Sequence, residues 1–200
     1  MLPAKNPVKK APGWARWTLL MASLGWLLLT VASYLSLPMF QKIWWFGRLV
    51  TGVFWTWAVL WSFAAVLACL SLRAYVRFFA VLVVTVTLGA VVRGIDWQAV
   101  YVGSQIRLHR EELAALVEAN AGGRRLTAPW WMEYLSKNGW VRQQGEVVYL
   151  PVFEDSWRAE SAAGIAHLPA PPTAETIVQT AAGDIGRPVR DLGDGWWWVE

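Results

Sequence analysis

Two histidines, one cysteine and fourteen carboxylates are the groups in this 200-residue sequence from which catalytic or metal chemistry would have to be built. His109 and His167 belong to no recognisable metal-ligand motif, so no metal or other cofactor is expected. Cys69 is the single cysteine and falls within an apolar run, which excludes a disulfide or a thiolate cluster inside one chain. Glu154, Asp155 and Glu160 near Ser156 and Ser161 have the residue types of an acid-base group. No motif joins a nucleophile to a base and an orienting partner, however, and such residues in a polar segment are usually solvated surface. Gly183-Asp184-Ile185-Gly186 runs into Arg187-Pro188, which suits a turn better than a phosphate cradle opening a helix. The expectation is a protein that is not an enzyme. A catalyst working at a membrane surface would require the carboxylates and His167 to converge in one cleft.

The elements that would position these groups are set by an uneven charge distribution. All fourteen acidic residues lie at or after Asp96, while nine of the eighteen basic residues precede it. The first 95 residues are therefore +9 with no carboxylate, and the remainder carries nine cations against fourteen anions. Positive charge flanking apolar spans does not indicate nucleic acid; it points to a bilayer with anionic lipids. With 56% apolar residues overall, the chain reads as a membrane protein: three transmembrane α-helices, an amphipathic helix and a small α+β extramembrane domain.

The spans are expected at about 17–37, 49–72 and 74–95. Trp17 to Leu37 is charge-free and, at ~1.5 Å per residue, covers about 31 Å, the depth of a hydrocarbon core. It ends at Pro38. Leu49 to Leu72 is longer and can cross with tilt. Phe78 to Val92 is short unless Arg77 and Arg93 snorkel to the two headgroup layers. Thr30 and Ala32 resemble a signal cleavage site, but the apolar run is long for a signal and reads as an uncleaved anchor. Lys5, Lys9, Lys10 and Arg16 share one side with Arg73 and Arg77, leaving Lys42, Arg48 and Arg93 opposite. Residues 1–16 are therefore a cytoplasmic basic tail and the C-terminal domain is extracytoplasmic. The excess of arginine over lysine, 13 to 5, hints at a GC-rich bacterial genome and so at a bacterial inner membrane as the plasma membrane in question.

No acidic or basic residue falls inside the apolar runs Trp17 to Leu37, Leu49 to Leu72 and Phe78 to Val92, which argues against a self-sufficient pump or ion-coupled carrier. Small residues recur instead: Ala22, Gly25, Ala32 and Ser36 on the first helix, and Ala58, Ser62, Ala65 and Cys69 on the second. Such stripes let helix backbones approach closely, within the chain or with a partner. Of the 16 tryptophans, Trp14, Trp17, Trp44, Trp45 and Trp97 suit an interfacial aromatic belt. Trp57 and Trp61 lie four apart on one helical face near mid-membrane, where their indole N–H groups need partners. Another membrane subunit or a lipid could meet them; the plainer reading is a hydrogen bond to a neighbouring helix of the same chain.

Beyond the spans, an amphipathic stalk helix is expected over 96–123, with Asp96 as N-cap and Gly122-Gly123 as the stop. If Gly94 does not break the chain, span and stalk are one rod. The domain at 124–200 should hold a short helix over Pro129 to Leu135, a hairpin of Trp140 to Gln143 with Glu146 to Leu150, and a second hairpin of Val189 to Leu192 with Trp196 to Val199. A further strand is expected at Thr176 to Thr180, after an extended loop over His167 to Thr173. Trp130-Trp131 and Trp196-Trp197-Trp198 alternate sides if extended. Trp130, Trp131, Trp196 and Trp198 thus join Trp57, Trp61, Ala58, Ser62 and Ala65 as candidate partner-binding residues. The function expected is a non-catalytic integral membrane subunit mediating protein-protein interaction in a larger membrane assembly, a second copy of the chain being one such partner. The alternative is a membrane-tethered extracytoplasmic module that recognises envelope glycan or lipid.

Overall fold

The computed structural model describes residues 13–43, 45–122, 128–152, 163–180 and 184–200. The described chain is mostly helical, with three helices long and apolar enough to cross a membrane and a small sheet region. It divides into two compact units, one of residues 1–36 and 45–97, the other of 37–44 and 98–200.

The first unit contains the three apolar helices α1 (Gly13–Tyr34), α3 (Trp45–Ser71) and α4 (Tyr75–Gly94). The buried positions of α1 include Ala22, Gly25, Leu29, Ala32 and Ser33, and those of α3 include Gly47, Ala58, Ser62, Ala65 and Cys69. Three- and four-residue spacing stacks these on one face of each helix, and the two faces meet. Gly25 marks a close approach. A Cβ built there would lie 2.8 Å from Trp57 Cδ1 and 2.9 Å from Ala58 Cα. Above it Trp26 donates its indole N–H to Ser62 Oγ at 2.9 Å, inside a cluster with Leu29, Ala58 and Val92.

α3 ends in a Schellman turn: Ala74 N–H bonds Cys69 O and Arg73 N–H bonds Leu70 O. Arg73 takes the left-handed position at φ 53°, where glycine is usual. A cation is thus kept between the second and third apolar helices despite its backbone cost. α4 packs little within the chain, Val92 alone of its residues being buried. It stops at Ile95, whose extended backbone (ψ 131°) breaks the path onward. Trp97 closes this end by donating its indole N–H to Val92 O at 2.7 Å, one of the carbonyls a helix terminus leaves without a partner. The single rod of span and stalk is therefore absent.

The second unit includes most of α2 (Ser36–Ile43), a short helix between α1 and α3 that was not expected, the first span being expected to end at Pro38. Pro38 sits in the first turn of α2, where a missing N–H costs nothing. The expected stalk is two helices, α5 (Trp97–Leu108) and α6 (Arg110–Ala121), parted at His109 (φ −111°, ψ 28°). Among the described residues two 3-10 turns follow, η1 (Trp130–Tyr134) and η2 (Lys137–Gly139), then seven strands: β1 (Arg142–Gln144), β2 (Val147–Pro151), β3 (Gly164–His167), β4 (Val178–Gln179), β5 (Ile185–Gly186), β6 (Pro188–Gly193) and β7 (Trp196–Val199).

Five strands form an antiparallel sheet in the order β1-β2-β3-β7-β6, and β4 pairs with β5 separately. The side-chain amide of Gln144 bonds the backbone of Gln179 through both its groups, joining β1 to β4. Both expected hairpins are present. The second turns through Asp194-Gly195, both with positive φ, the two-residue geometry whose twist matches the flanking strands. Pro188, without an N–H to give, opens the edge strand β6. β3 was not expected; it overlaps the expected loop over His167 to Thr173 only at His167, and it lies at the centre of the sheet. Its Gly164 and Ala166 leave room for the bulk of Tyr149 beside them. On one face Tyr149, Ala166, Leu168, Val178 and Val199 form a core cluster with half-buried Trp197 packed against it. On the other, register places Val148, His167 and Trp196 in one row and Leu150, Ile165 and Trp198 in the next.

Candidate functional site

The nine partner-binding candidates separate by burial. Ala58, Ser62 and Ala65 are sealed in the seam between α1 and α3, and Ser62 spends its hydroxyl on Trp26. They hold the first unit together and present nothing outward. Trp196 and Trp198 are buried in the sheet core, and Trp198 donates to its neighbour Glu200 at 2.7 Å. Their parity in β7 turns both toward the same packed face, so the half-exposed ring of the triplet is Trp197.

Trp131 is also internal. At 4% exposed it stacks on His109 (centroids 3.8 Å apart, planes 6°) and donates its indole N–H to Glu112, whose other oxygen lies 3.7 Å from His109 Nδ1. This group fastens η1 to the junction of α5 and α6 and gives His109 a structural role. Trp130, its neighbour, is 78% exposed.

Trp57 and Trp61 remain, the first exposed and the second half-buried. Their rings lie 6.2 Å apart on α3, and Trp57 is 40% exposed. Among the described residues neither indole N–H has a hydrogen-bond acceptor. The expected bond from these residues to a neighbouring helix of the same chain is not formed; that arrangement belongs to Trp26, which sequence reading passed over. The signal for Trp26 was its position beside Gly25 in the small-residue stripe, facing a serine on the partner stripe.

The groups considered for chemistry are only partly brought together. Glu154, Asp155, Ser156, Glu160 and Ser161 lie outside the described residues, as does Trp44. His167 does reach a cleft, one of about 380 Å³ walled by Ile106 and Leu113 from the helices and by Trp196 from β7. Arg110, Glu118 and Asp194 share its lining, and Arg110 Nη2 bonds Asp194 Oδ1 at 2.7 Å. Burial lowers the His167 pKa, because the charged imidazolium loses water it cannot replace. Its Nδ1 is buried without a hydrogen-bond partner, so the neutral tautomer with the proton on Nε2 avoids stranding a donor. No acceptor thus orients the ring as a general base is usually oriented. Among the described residues no hydroxyl or thiol lines the cleft. The arrangement offers a small apolar recess with one neutral imidazole and a mostly compensated charged rim. Among the described residues no group of three His, Cys, Asp or Glu side chains is placed to hold a metal ion.

Comparison of the chain with protein-family models, with curated proteins and with solved structures yields no match in any of the three.

Proposed function

We propose that this chain is a non-catalytic integral membrane subunit that holds other membrane proteins in a larger assembly. In this reading α1, α3 and α4 cross a plasma membrane, that of a bacterial inner membrane by composition. The N-terminus is cytoplasmic, and the C-terminal unit stands on the extracytoplasmic side, as the distribution of short-loop cations favours. The observation that carries the proposal is the Trp57-Trp61 pair. Both residues lie within about one turn of the middle of the 27-residue α3. In a bilayer, lipid tails offer their N–H groups no acceptor, and leaving such a group unsatisfied in hydrocarbon costs on the order of several kcal/mol. A carbonyl or hydroxyl on a helix of another subunit supplies the acceptor. The small-residue stripes are already consumed internally, which leaves this aromatic face and the little-packed α4 for association.

Purification in mild detergent tests the proposal. The intact protein should elute as part of a complex or as a homo-oligomer, and Trp57→Phe with Trp61→Phe, which keep the rings and remove both N–H groups, should weaken that association roughly tenfold. A monodisperse monomer with no co-purifying partner contradicts it. A second reading, a tethered module binding envelope glycan or lipid, is favoured by the cleft at His167, whose volume suits a small ligand. It predicts saturable binding of envelope extract to the full chain in lipid nanodiscs, abolished by filling the recess with Ala114→Trp.

A further inference from the structure

Two polar faces of the first unit have no partner inside the chain, and they are complementary. On α3 the indole N–H groups of Trp57 and Trp61 have no acceptor among the described residues. On α4 Thr87 is exposed, and among the described residues its hydroxyl makes no hydrogen bond. Thr30, Thr51 and Thr56, on α1 and α3, instead return theirs to the carbonyl four residues back at 2.8, 3.0 and 2.9 Å. A hydroxyl oxygen has two lone pairs, so it is the acceptor that two indoles lack. The chain already uses this bond once, where Trp26 of α1 donates to Ser62 of α3.

Their heights agree. Trp61 lies ten residues before Ser71, the last residue of α3, and Trp57 fourteen; Thr87 lies twelve after Tyr75, the first residue of α4. At ~1.5 Å per residue Thr87 stands about 18 Å from the turn that joins these helices, between the two tryptophans at roughly 15 and 21 Å, all near the middle of a hydrocarbon core about 30 Å deep. The Trp26 ring supports this register, because its N–H reaches Ser62 while a Cβ built at Gly89 would lie 3.4 Å from its Cη2.

The two faces point different ways. Trp55 packs on the cluster that holds Val92 of α4, and Trp57, two residues on, is about 200° round α3. Thr85 and Gly89 are half-buried on α4, and Thr87, between them, is likewise turned to the far side. Donors and acceptor therefore cannot meet within one copy. Copies related by rotation about the membrane normal keep every residue at its own height, so the donors of one meet the acceptor of the next and a head-to-tail ring can close.

We infer that the partner at Trp57 and Trp61 is a second copy of this chain, whose Thr87 hydroxyl accepts their N–H groups in a head-to-tail ring. This rests on the assembly role proposed for α3 and names the subunit that fills it. Val83 and Ala90, a turn to either side of Thr87, are small enough to let the indoles approach.

Paired cysteines test the inference on the full chain with Cys69→Ala in native membranes. Ala64→Cys, on the Trp61 face, and Val83→Cys, on the Thr87 face, lie at matching heights and spare the proposed bond. Mild oxidation should link the double variant into dimers and higher species and leave each single variant monomeric. Dimers from either single variant overturn the inference, because they set like faces together. A double variant that remains uncrosslinked overturns it as well; if the parent protein then co-purifies with a different polypeptide the assembly role stands, and if it is a monodisperse monomer that role falls too. Thr87→Val, which keeps the shape and removes the hydroxyl, gives a second measurement without cysteines. It should weaken self-association in mild detergent about threefold, the size of an average hydrogen bond between helices in a bilayer, and have no further effect on the variant carrying Trp57→Phe and Trp61→Phe. No effect on the parent protein, or equal weakening in both backgrounds, overturns the bond.

Discussion

Where α1 meets α3 the seam is built of Ala22, Gly25, Ala32, Ala58, Ser62 and Ala65, whereas the sheet of the second unit is packed with Tyr149, Trp196 and Trp198. The two regions bury their cores with opposite ends of the residue-size scale, and the membrane setting proposed for the first accounts for it. In lipid, hiding an apolar side chain gains nothing from water, so helices gain by close backbone approach and by hydrogen bonds such as Trp26 to Ser62. In water, each buried aromatic removes ~200 Å² of surface, roughly 5 kcal/mol at ~25 cal/mol per Å² before ordering costs. A domain without a disulfide has few other sources of stability. The same contrast explains why tryptophan has two uses in this chain, as a core residue in β7 and as an exposed ring on α3.

Four perturbations sharpen or break the comparison. Trp198→Ala should have the largest effect, about 3–5 kcal/mol lost from the sheet, seen as faster hydrogen exchange in β2, β3 and β7 while α1 and α3 stay protected. Unchanged exchange in the sheet would mean that its stability does not rest on tryptophan. Gly25→Val comes next. The added carbons would enter the space held by Ala58 Cα and Trp57, and overpacking of about 1–3 kcal/mol should lower the unfolding midpoint of the helical unit in an SDS titration. A midpoint equal to that of the parent protein would rule out close approach as its organising contact.

Ser62→Ala removes the acceptor of the Trp26 indole and should cost only ~0.6 kcal/mol, the average for such bonds in bilayers. A several-fold larger loss would show that the seam depends on polarity more than on size. The smallest effect belongs to His167. Its folded pKa lies below the unfolded value, so the unfolded chain takes up the proton first as pH falls. The second unit should therefore be fully stable above about pH 6.5 and lose stability as pH falls from there through the lowered folded pKa, then level off. His167→Gln should flatten that part of the thermal-midpoint profile between pH 7.5 and 5, and an unaltered profile would assign the acid sensitivity to carboxylates.

Much of this contrast is legible in the residues, because charge-free runs and small-residue spacing are local signals. The three apolar helices, the stripe of α3, Ala22, Gly25 and Ala32 of the stripe on α1, and both hairpins follow from pattern alone, although Ser36 falls in α2, and Asp194-Gly195 announces its turn. Three features do not. α2 is hidden because Pro38 reads as a stop, although a proline is equally at home in a first helical turn. β3 carries only Gly164, Ile165, Ala166 and His167, a run with little strand propensity, and its place is fixed by the bulk of neighbours distant in sequence. The break at His109 interrupts an apolar periodicity that continues across it, and is held by a tryptophan from η1. The site residues followed the same rule. Spacing identified which residues share a face, but only tertiary packing decided that Ala58, Ser62, Ala65, Trp131, Trp196 and Trp198 look inward, that Trp57 and Trp130 look out and that Trp61 is half-buried.

What touches Trp57 and Trp61 decides whether α3 is an assembly surface. Photoactivatable benzoylphenylalanine placed at each position in intact cells should give adducts with a second polypeptide, either another subunit or another copy of this chain. Products confined to intramolecular crosslinks or to lipid would contradict the assembly role proposed for α3.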